Sequence, residues 1–118
     1  MQHDLADIAQ ELRRFAEDRD WDQFHSPKNL AMATAVEAAE LLEHFQWLTE
    51  AQSKNLKPEK LTKVAEEIAD IQVYLIRLAD KLDINILESV RAKIKQNAAK
   101  YPADKVRGDA RKYNEYPG

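Results

Sequence analysis

Apolar residues recur at helical spacing along most of this 118-residue chain, and that periodicity narrows the fold more than any other feature. Leu61, Val64, Ile68, Ile71, Leu75 and Leu78 form one stripe; Leu5, Ile8, Leu12 and Phe15 form a second; Ile86, Val90 and Ile94 form a third. No stretch alternates with the period of two that marks a half-buried strand. The pattern predicts four helices and a tail. The first runs from about Asp4 to Asp18, and Asp20 to Ser26 breaks the pattern. The second begins at Ser26-Pro27, an N-cap followed by proline in the first helical position, and reaches about Leu48. Polar Thr49 to Lys57 reads as a loop. The third helix runs from Pro58 to about Leu82, and Asp83 to Asn85 form a turn. Asn85 and Glu88 have capping-box spacing for the fourth helix, which ends at Tyr101-Pro102. Ala103 to Gly118 is a polar, basic arm or tail. Short connections between long helices favour an antiparallel four-helix bundle, so the expected fold class is all-α.

The length suits one domain, 1–118, with a modest core. Charged residues make up 33% and hydrophobic residues 44%, a globular rather than a disordered balance. A formal net charge of -3 gives no case for binding a nucleic acid polymer. Without cysteine the chain has neither disulfides nor thiolate metal sites. No apolar run is long enough to span a membrane, and Met1 to Ala6 does not read as a signal peptide, so the cytoplasm is the expected location. The only glycines are Gly108 and Gly118, which excludes a glycine-rich phosphate loop. Any phosphate must be met by metal and by cationic side chains.

The second helix is apolar on every side, through Met32, Ala35, Val36, Ala38, Ala39, Leu42, Phe45 and Trp47. A small four-helix monomer cannot cover all of it, which implies a homo-oligomer, dimer or tetramer. Two carboxylate pairs interrupt this setting. Glu37 and Glu40 are spaced i,i+3, as are Glu67 and Asp70 on the third helix, so each pair shares a face. At about 100° per residue, Ala33, Glu37, Glu40 and His44 fall in one sector, and Lys63, Glu67, Asp70 and Tyr74 fall in another. Carboxylates on a buried helix are costly unless a cation or hydrogen-bond network meets them. An isolated pair is most often exposed, but the apolar coverage here leaves little free solvent face. Converging acids from two antiparallel helices make a hard-cation site, for which Mg2+ is the usual occupant.

The stretch Glu37-Ala38-Ala39-Glu40-Leu41-Leu42-Glu43-His44-Phe45-Gln46-Trp47, followed by Glu66-Glu67-Ile68-Ala69-Asp70-Ile71-Gln72-Val73-Tyr74-Leu75, resembles the MazG-like all-α nucleotide pyrophosphohydrolases, and within them the dCTP pyrophosphatase branch. Arg19-Asp20-Trp21-Asp22-Gln23-Phe24-His25 and Asn97-Ala98-Ala99-Lys100-Tyr101-Pro102 extend the resemblance over nearly the whole chain. One position departs: many members carry a further Glu where this chain has Val36. The resemblance implies hydrolysis of a nucleoside triphosphate, dCTP or a modified pyrimidine deoxynucleotide, to monophosphate and pyrophosphate. It implies Mg2+ held by Glu37, Glu40, Glu67 and Asp70. The water-activating base is then a ligand carboxylate or the neighbouring Glu66. Trp21, His25, Trp47 and Tyr74 are expected to line the nucleotide pocket; Asn97, Lys100 and Tyr101 match the family's substrate-binding pattern. Lys93 and the tail residues Lys105, Arg107, Arg111 and Lys112 are further cation candidates. Sites in the family are commonly shared between subunits.

Two other functions fit parts of the pattern. A non-catalytic helical oligomerisation module would tie the acids into a network with Lys63. A di-iron bundle would need Glu-x-x-His on two helices. Here Glu40 and His44 are i,i+4 and the third helix has no histidine, which places that option last.

Overall fold

Residues 4–108 are described in a computed structural model of the chain. Side-chain caps set most helix starts. The Asp4 carboxylate accepts from the Asp7 amide at 2.9 Å and opens α1, Leu5–Asp18. Asp20 then takes a left-handed φ of 56°, a conformation Asp tolerates better than most residues, and the chain turns through a single 3-10 turn, Asp22–Phe24. The Ser26 hydroxyl accepts from the Asn29 amide at 3.1 Å, with proline behind it, to start α2, Pro27–Glu43. Asn29 reaches back to the Phe24 carbonyl at 3.0 Å and ties the turn to the helix.

The second helix is shorter than the sequence suggests. After Glu43 the chain continues in tight turns, His44 to Leu41 and Phe45 to Leu42, rather than reaching Leu48 as a helix. The cause lies downstream. Thr49 is extended and forms a reciprocal capping box with Gln52, which opens the one-turn helix α3, Glu50–Ser53, inside the expected loop. Pro58 begins α4, Pro58–Lys81, and Asp83, at φ 55°, closes it. Asn85 accepts from the Glu88 amide at 3.0 Å to open α5, Ile86–Lys100. The start of the expected tail forms α6, Ala103–Val106. Arg111 and Lys112 lie outside the described residues. Among the described residues every regular element is helical, so the structure is all-α, and no helix is long and apolar enough to cross a membrane.

The chain divides into two compact units, Met1–Ile84 and Asn85–Gly118. In the first, α2 packs along α4, and α1 packs on α4 as well. Among the described residues the fully buried apolar side chains are few: Ala16, Leu30, Val64, Ile76 and Ala79. The α4 stripe is split. Val64 is buried and Ile71 and Leu78 are half-buried, whereas Leu61, Ile68 and Leu75 are exposed. On α1, Leu5, Ile8 and Leu12 are half-buried and Phe15 is exposed. Among the described residues of the second unit α5 is the one long helix, and its Val90 and Ile94 are exposed rather than inward-facing.

The orientation of α2 is the feature that positions the site. Its sheltered side carries Leu30, Ala33, Thr34, Glu37, Glu40 and Leu41. Its open side carries Met32, Val36 and Leu42, which are 51%, 56% and 58% exposed. The helix therefore turns Glu37 and Glu40 inward beside Leu30 and Leu41 and leaves Met32, Val36 and Leu42 open, so both of its sides carry apolar groups.

Candidate functional site

Glu37, at the centre of the sheltered face of α2, meets Glu67 and Asp70 on α4. Each residue offers one oxygen, and the three oxygens lie within 4.8 Å of one another. Glu37 and Glu67 are half-buried and Asp70 is exposed, so the cluster opens to solvent on one side. Glu37 Oε2 and Glu67 Oε2 are buried with no hydrogen-bond partner among the described residues. Two orphaned carboxylate oxygens on neighbouring residues of one cluster are unfavourable for a bare protein. Burial, followed by the nearness of Glu40, Glu67 and Asp70, pushes the Glu37 carboxyl up to about 7. As carboxylates none of these groups can donate to another; a contact of Glu37 with Glu40 or Glu67 becomes a hydrogen bond only when one of the pair carries a proton, and the raised Glu37 carboxyl is the one that retains it. Glu40, the fourth expected ligand, lies outside that three-oxygen cluster and touches it only through Glu37. All-oxygen, acidic, partly desolvated and missing a positive partner, the donor set fits a hard divalent cation such as Mg2+.

One cationic contact comes from the side. Lys60 Nζ lies 3.2 Å from His44 Nδ1, and His44 Nε2 lies 4.0 Å from Glu67 Oε1. An ammonium can only donate, so Nδ1 accepts and the ring proton sits on Nε2, toward the acid. At that distance the ring neighbours Glu67 without a hydrogen bond to it, outside the oxygen set. A pocket of about 460 Å³, lined by Leu48, Leu56 and Lys60 among others, shares Lys60 with this relay but none of the acids.

Further along α4 the same face continues. Asp70, Tyr74, Arg77 and Lys81 are spaced by four, three and four residues and line up within a narrow sector. Tyr74 is half-buried one turn beyond Asp70. Arg77, only 2% exposed, is a residue that sequence reasoning missed. Its guanidinium donates to His25 Nδ1 from Nε at 3.3 Å and to Asp22 Oδ1 from Nη2 at 3.0 Å, and lies 3.6 Å from Asp80. Lys81 also donates to Asp22, and these two cations hold the Asp22 carboxyl below its usual range. Arg13 of α1 grips Asp80 with two bonds, of 3.0 and 2.6 Å, lowering the Asp80 carboxyl. The spacing from Asp70 was the available signal for Arg77; its burial was not, because charged residues are rarely buried.

The other expected residues fall in three places. Trp21 and His25 flank the 3-10 turn, where Trp21 stands edge-on to Phe15 at 5.7 Å between ring centroids. Burial, then Arg77 and Lys81, depress the His25 imidazole. Trp47 does not close a helix: it lies in the turn after α2 and is 87% exposed, a consequence of the early end of that helix. Glu66, about 100° round α4 from Glu67, is exposed and outside the oxygen cluster. Asn97, Lys100 and Tyr101 belong to the second unit, on α5 and its C-cap, where the Tyr101 amide bonds the Asn97 carbonyl at 2.8 Å. Lys93 bonds Gln96 at 3.2 Å.

Known proteins share much of this sequence. The model of the MazG-like family matches residues 32–116. dCTP pyrophosphatase 1 of Homo sapiens is 37% identical over 115 residues, which cover 96% of this chain and 68% of that protein. The Rattus norvegicus protein of the same name is 36% identical over the same span. The crystal structure of a pyrophosphatase from Archaeoglobus fulgidus aligns with a TM-score of 0.75 at 40% identity, over 86% of this chain and 95% of the other. With more than half its length matched by the family model, and Glu37, Glu40, Glu67 and Asp70 all inside the matched span, this chain belongs to the MazG-like family.

Proposed function

We propose that this chain is a nucleoside triphosphate pyrophosphohydrolase that acts with Mg2+ on dCTP or a modified pyrimidine deoxynucleotide, releasing the monophosphate and pyrophosphate. The carrying observation is the pair of buried, partnerless oxygens of Glu37 and Glu67 between α2 and α4. The similarity to proteins named dCTP pyrophosphatase supports the substrate class.

Glu37, Glu40, Glu67 and Asp70 would hold the ion, and Mg2+ bound there would neutralise charge on the phosphates and polarise a phosphoryl oxygen. The remaining work belongs to the chain's own groups. A carboxylate of the set, or exposed Glu66 beside it, accepts a proton from the attacking water. Trp21 offers a stacking surface for a base, and stacking on tryptophan tolerates any base. His25, across the turn from Trp21, and Tyr74, one turn beyond Asp70, offer polar edges, and Trp47 an exposed ring. Asn97, Lys100 and Tyr101 are assigned to substrate on the family pattern alone. We read 1–118 as one such domain of four-helix type, working as a dimer or tetramer; the open apolar side of α2 supports the assembly.

The test is pyrophosphate release across canonical and modified nucleotides with Mg2+ and with EDTA, the products being separated by chromatography. Activity on dCTP-like substrates that EDTA stops is expected. No pyrophosphate from any nucleotide would overturn the assignment.

A further inference from the structure

We propose that Arg77 is a positioning residue that fixes the tautomer of His25, so that the imidazole presents Nε2–H, a pure donor, toward the nucleotide. The inference rests on the reading above that the segment around Trp21 and His25 meets substrate, and it adds a residue to that site.

The geometry leaves the ring little choice. A guanidinium has donors only and keeps its charge in proteins. Two of the Arg77 nitrogens, Nε and Nη2, lie 3.3 and 3.2 Å from His25 Nδ1. A proton on Nδ1 would face those N–H groups, so Nδ1 is the acceptor and the ring proton is on Nε2. The charged groups around the ring are Arg77 and Lys81 from α4 and Asp22 from its own turn. Arg77 is itself held by two acids, Asp22 in the turn and Asp80 one turn along α4, and Asp80 is fixed in turn by Arg13 of α1. A buried cation persists only when it is so surrounded, and that network makes its direction rigid.

The consequence is chemical selectivity. A neutral ring whose free edge is N–H pairs with an acceptor and repels a donor. Without charge it suits an acceptor on the base or sugar more than the triphosphate, which the acidic cluster and its ion would take. Arg77 sits roughly 10 Å along α4 from Asp70, so one rigid helix sets the spacing between that donor and the acids.

Long-range proton–nitrogen NMR on uniformly 15N-labelled wild-type protein reads the tautomer directly and needs no turnover. The expected result is His25 as Nε2–H, neutral at pH 7 and titrating below an ordinary imidazole. An Nδ1–H tautomer or an imidazolium at pH 7 would overturn the proposal. In Arg77→Met the Nε2–H preference should weaken to the partial one of a free histidine, with a detectable Nδ1–H population, and the titration return toward the ordinary range. KM for the nucleotide should then rise roughly threefold to tenfold, the loss of one oriented hydrogen bond, with a smaller fall in kcat and unchanged Mg2+ affinity. Arg77→Lys, which restores one donor and the charge, should recover much of both effects. If Arg77→Met does not fold, the wild-type spectrum and the Lys variant decide. A changed tautomer with unchanged KM would refute the positioning role. A chain that hydrolyses no nucleotide would remove the function proposed above, while the spectrum would still decide the Arg77–His25 relation.

Discussion

Glu37 on α2 and Glu67 on α4 each bury a carboxylate oxygen that meets no donor among the described residues, and with Asp70 they bring oxygens within 4.8 Å of one another. The bare protein therefore carries an electrostatic strain that a divalent cation would relieve.

That strain has a pH signature. The folded-state pKa of Glu37 is raised above its unfolded value, so its contribution favours folding most below the unfolded pKa and is lost as pH rises through about 7. Metal-free protein should melt at a lower temperature at pH 8 than at pH 6, and Mg2+ should reverse most of the difference at pH 8. Glu37→Gln should raise the metal-free melting temperature at pH 8 and abolish the Mg2+ response. Scanning calorimetry at the two pH values checks this; no shift with Mg2+ or nucleotide would favour the non-catalytic module.

Removing a single acid should stop turnover without unfolding the chain. Glu40→Ala and Asp70→Ala are each expected to lower kcat/KM by roughly a hundredfold or more, the scale of losing one preorganised electrostatic group. Circular dichroism should be unchanged, because Asp70 is exposed and Glu40 only half-buried, and neither belongs to the buried apolar set of Leu30, Val64 and Ile76. Near-normal activity in either variant would contradict the ligand set.

His44 is expected to tune the metal and not to hold it. Its ring, beside Lys60 at 3.2 Å, stands 4.0 Å from Glu67, close enough to act on that ligand from outside once an ion draws the acids together. His44→Ala should weaken Mg2+ binding by roughly tenfold, the usual loss for an outer partner, with a smaller effect on nucleotide affinity measured at saturating metal. Isothermal titration separates the two.

Trp21→Ala should do the opposite. Loss of a stacking surface corresponds to roughly 1–3 kcal/mol per base, so KM should rise about tenfold while Mg2+ affinity holds. An unchanged KM would assign Trp21 to packing against Phe15 alone.

Acid should loosen the joint between α1 and α4. Asp80 and Asp22 have folded pKa values lowered by their cationic partners, so their contribution is present above the unfolded carboxylate pKa and is lost as pH falls through the lowered values. Arg13→Ala should flatten that part of the acid-denaturation profile, as followed by circular dichroism from pH 7 down to strongly acidic solution.

Helix periodicity and caps are local, which is why α1, α4 and α5 can be read from Asp4, Pro58 and Asn85 almost to the residue. The two acidic pairs are equally legible, since i,i+3 spacing alone puts each pair on one face. The end of α2 is not, because the Thr49–Gln52 capping box competes with an apolar run that would otherwise continue to Leu48. Nor can periodicity rank the faces of a helix that is apolar all round. Packing against α4 is what turns Glu37 inward and Met32, Val36 and Leu42 outward. Arg77 belongs to the same class: its partners Asp22, His25 and Asp80 come together only after α1, the 3-10 turn and α4 have docked. The order of residues dictates the helices and the chemistry of their side chains, because dihedral preference and cap bonding act over a few residues. Which charges are desolvated together is settled only when the helices pack, because burial depends on neighbours that are distant in the chain.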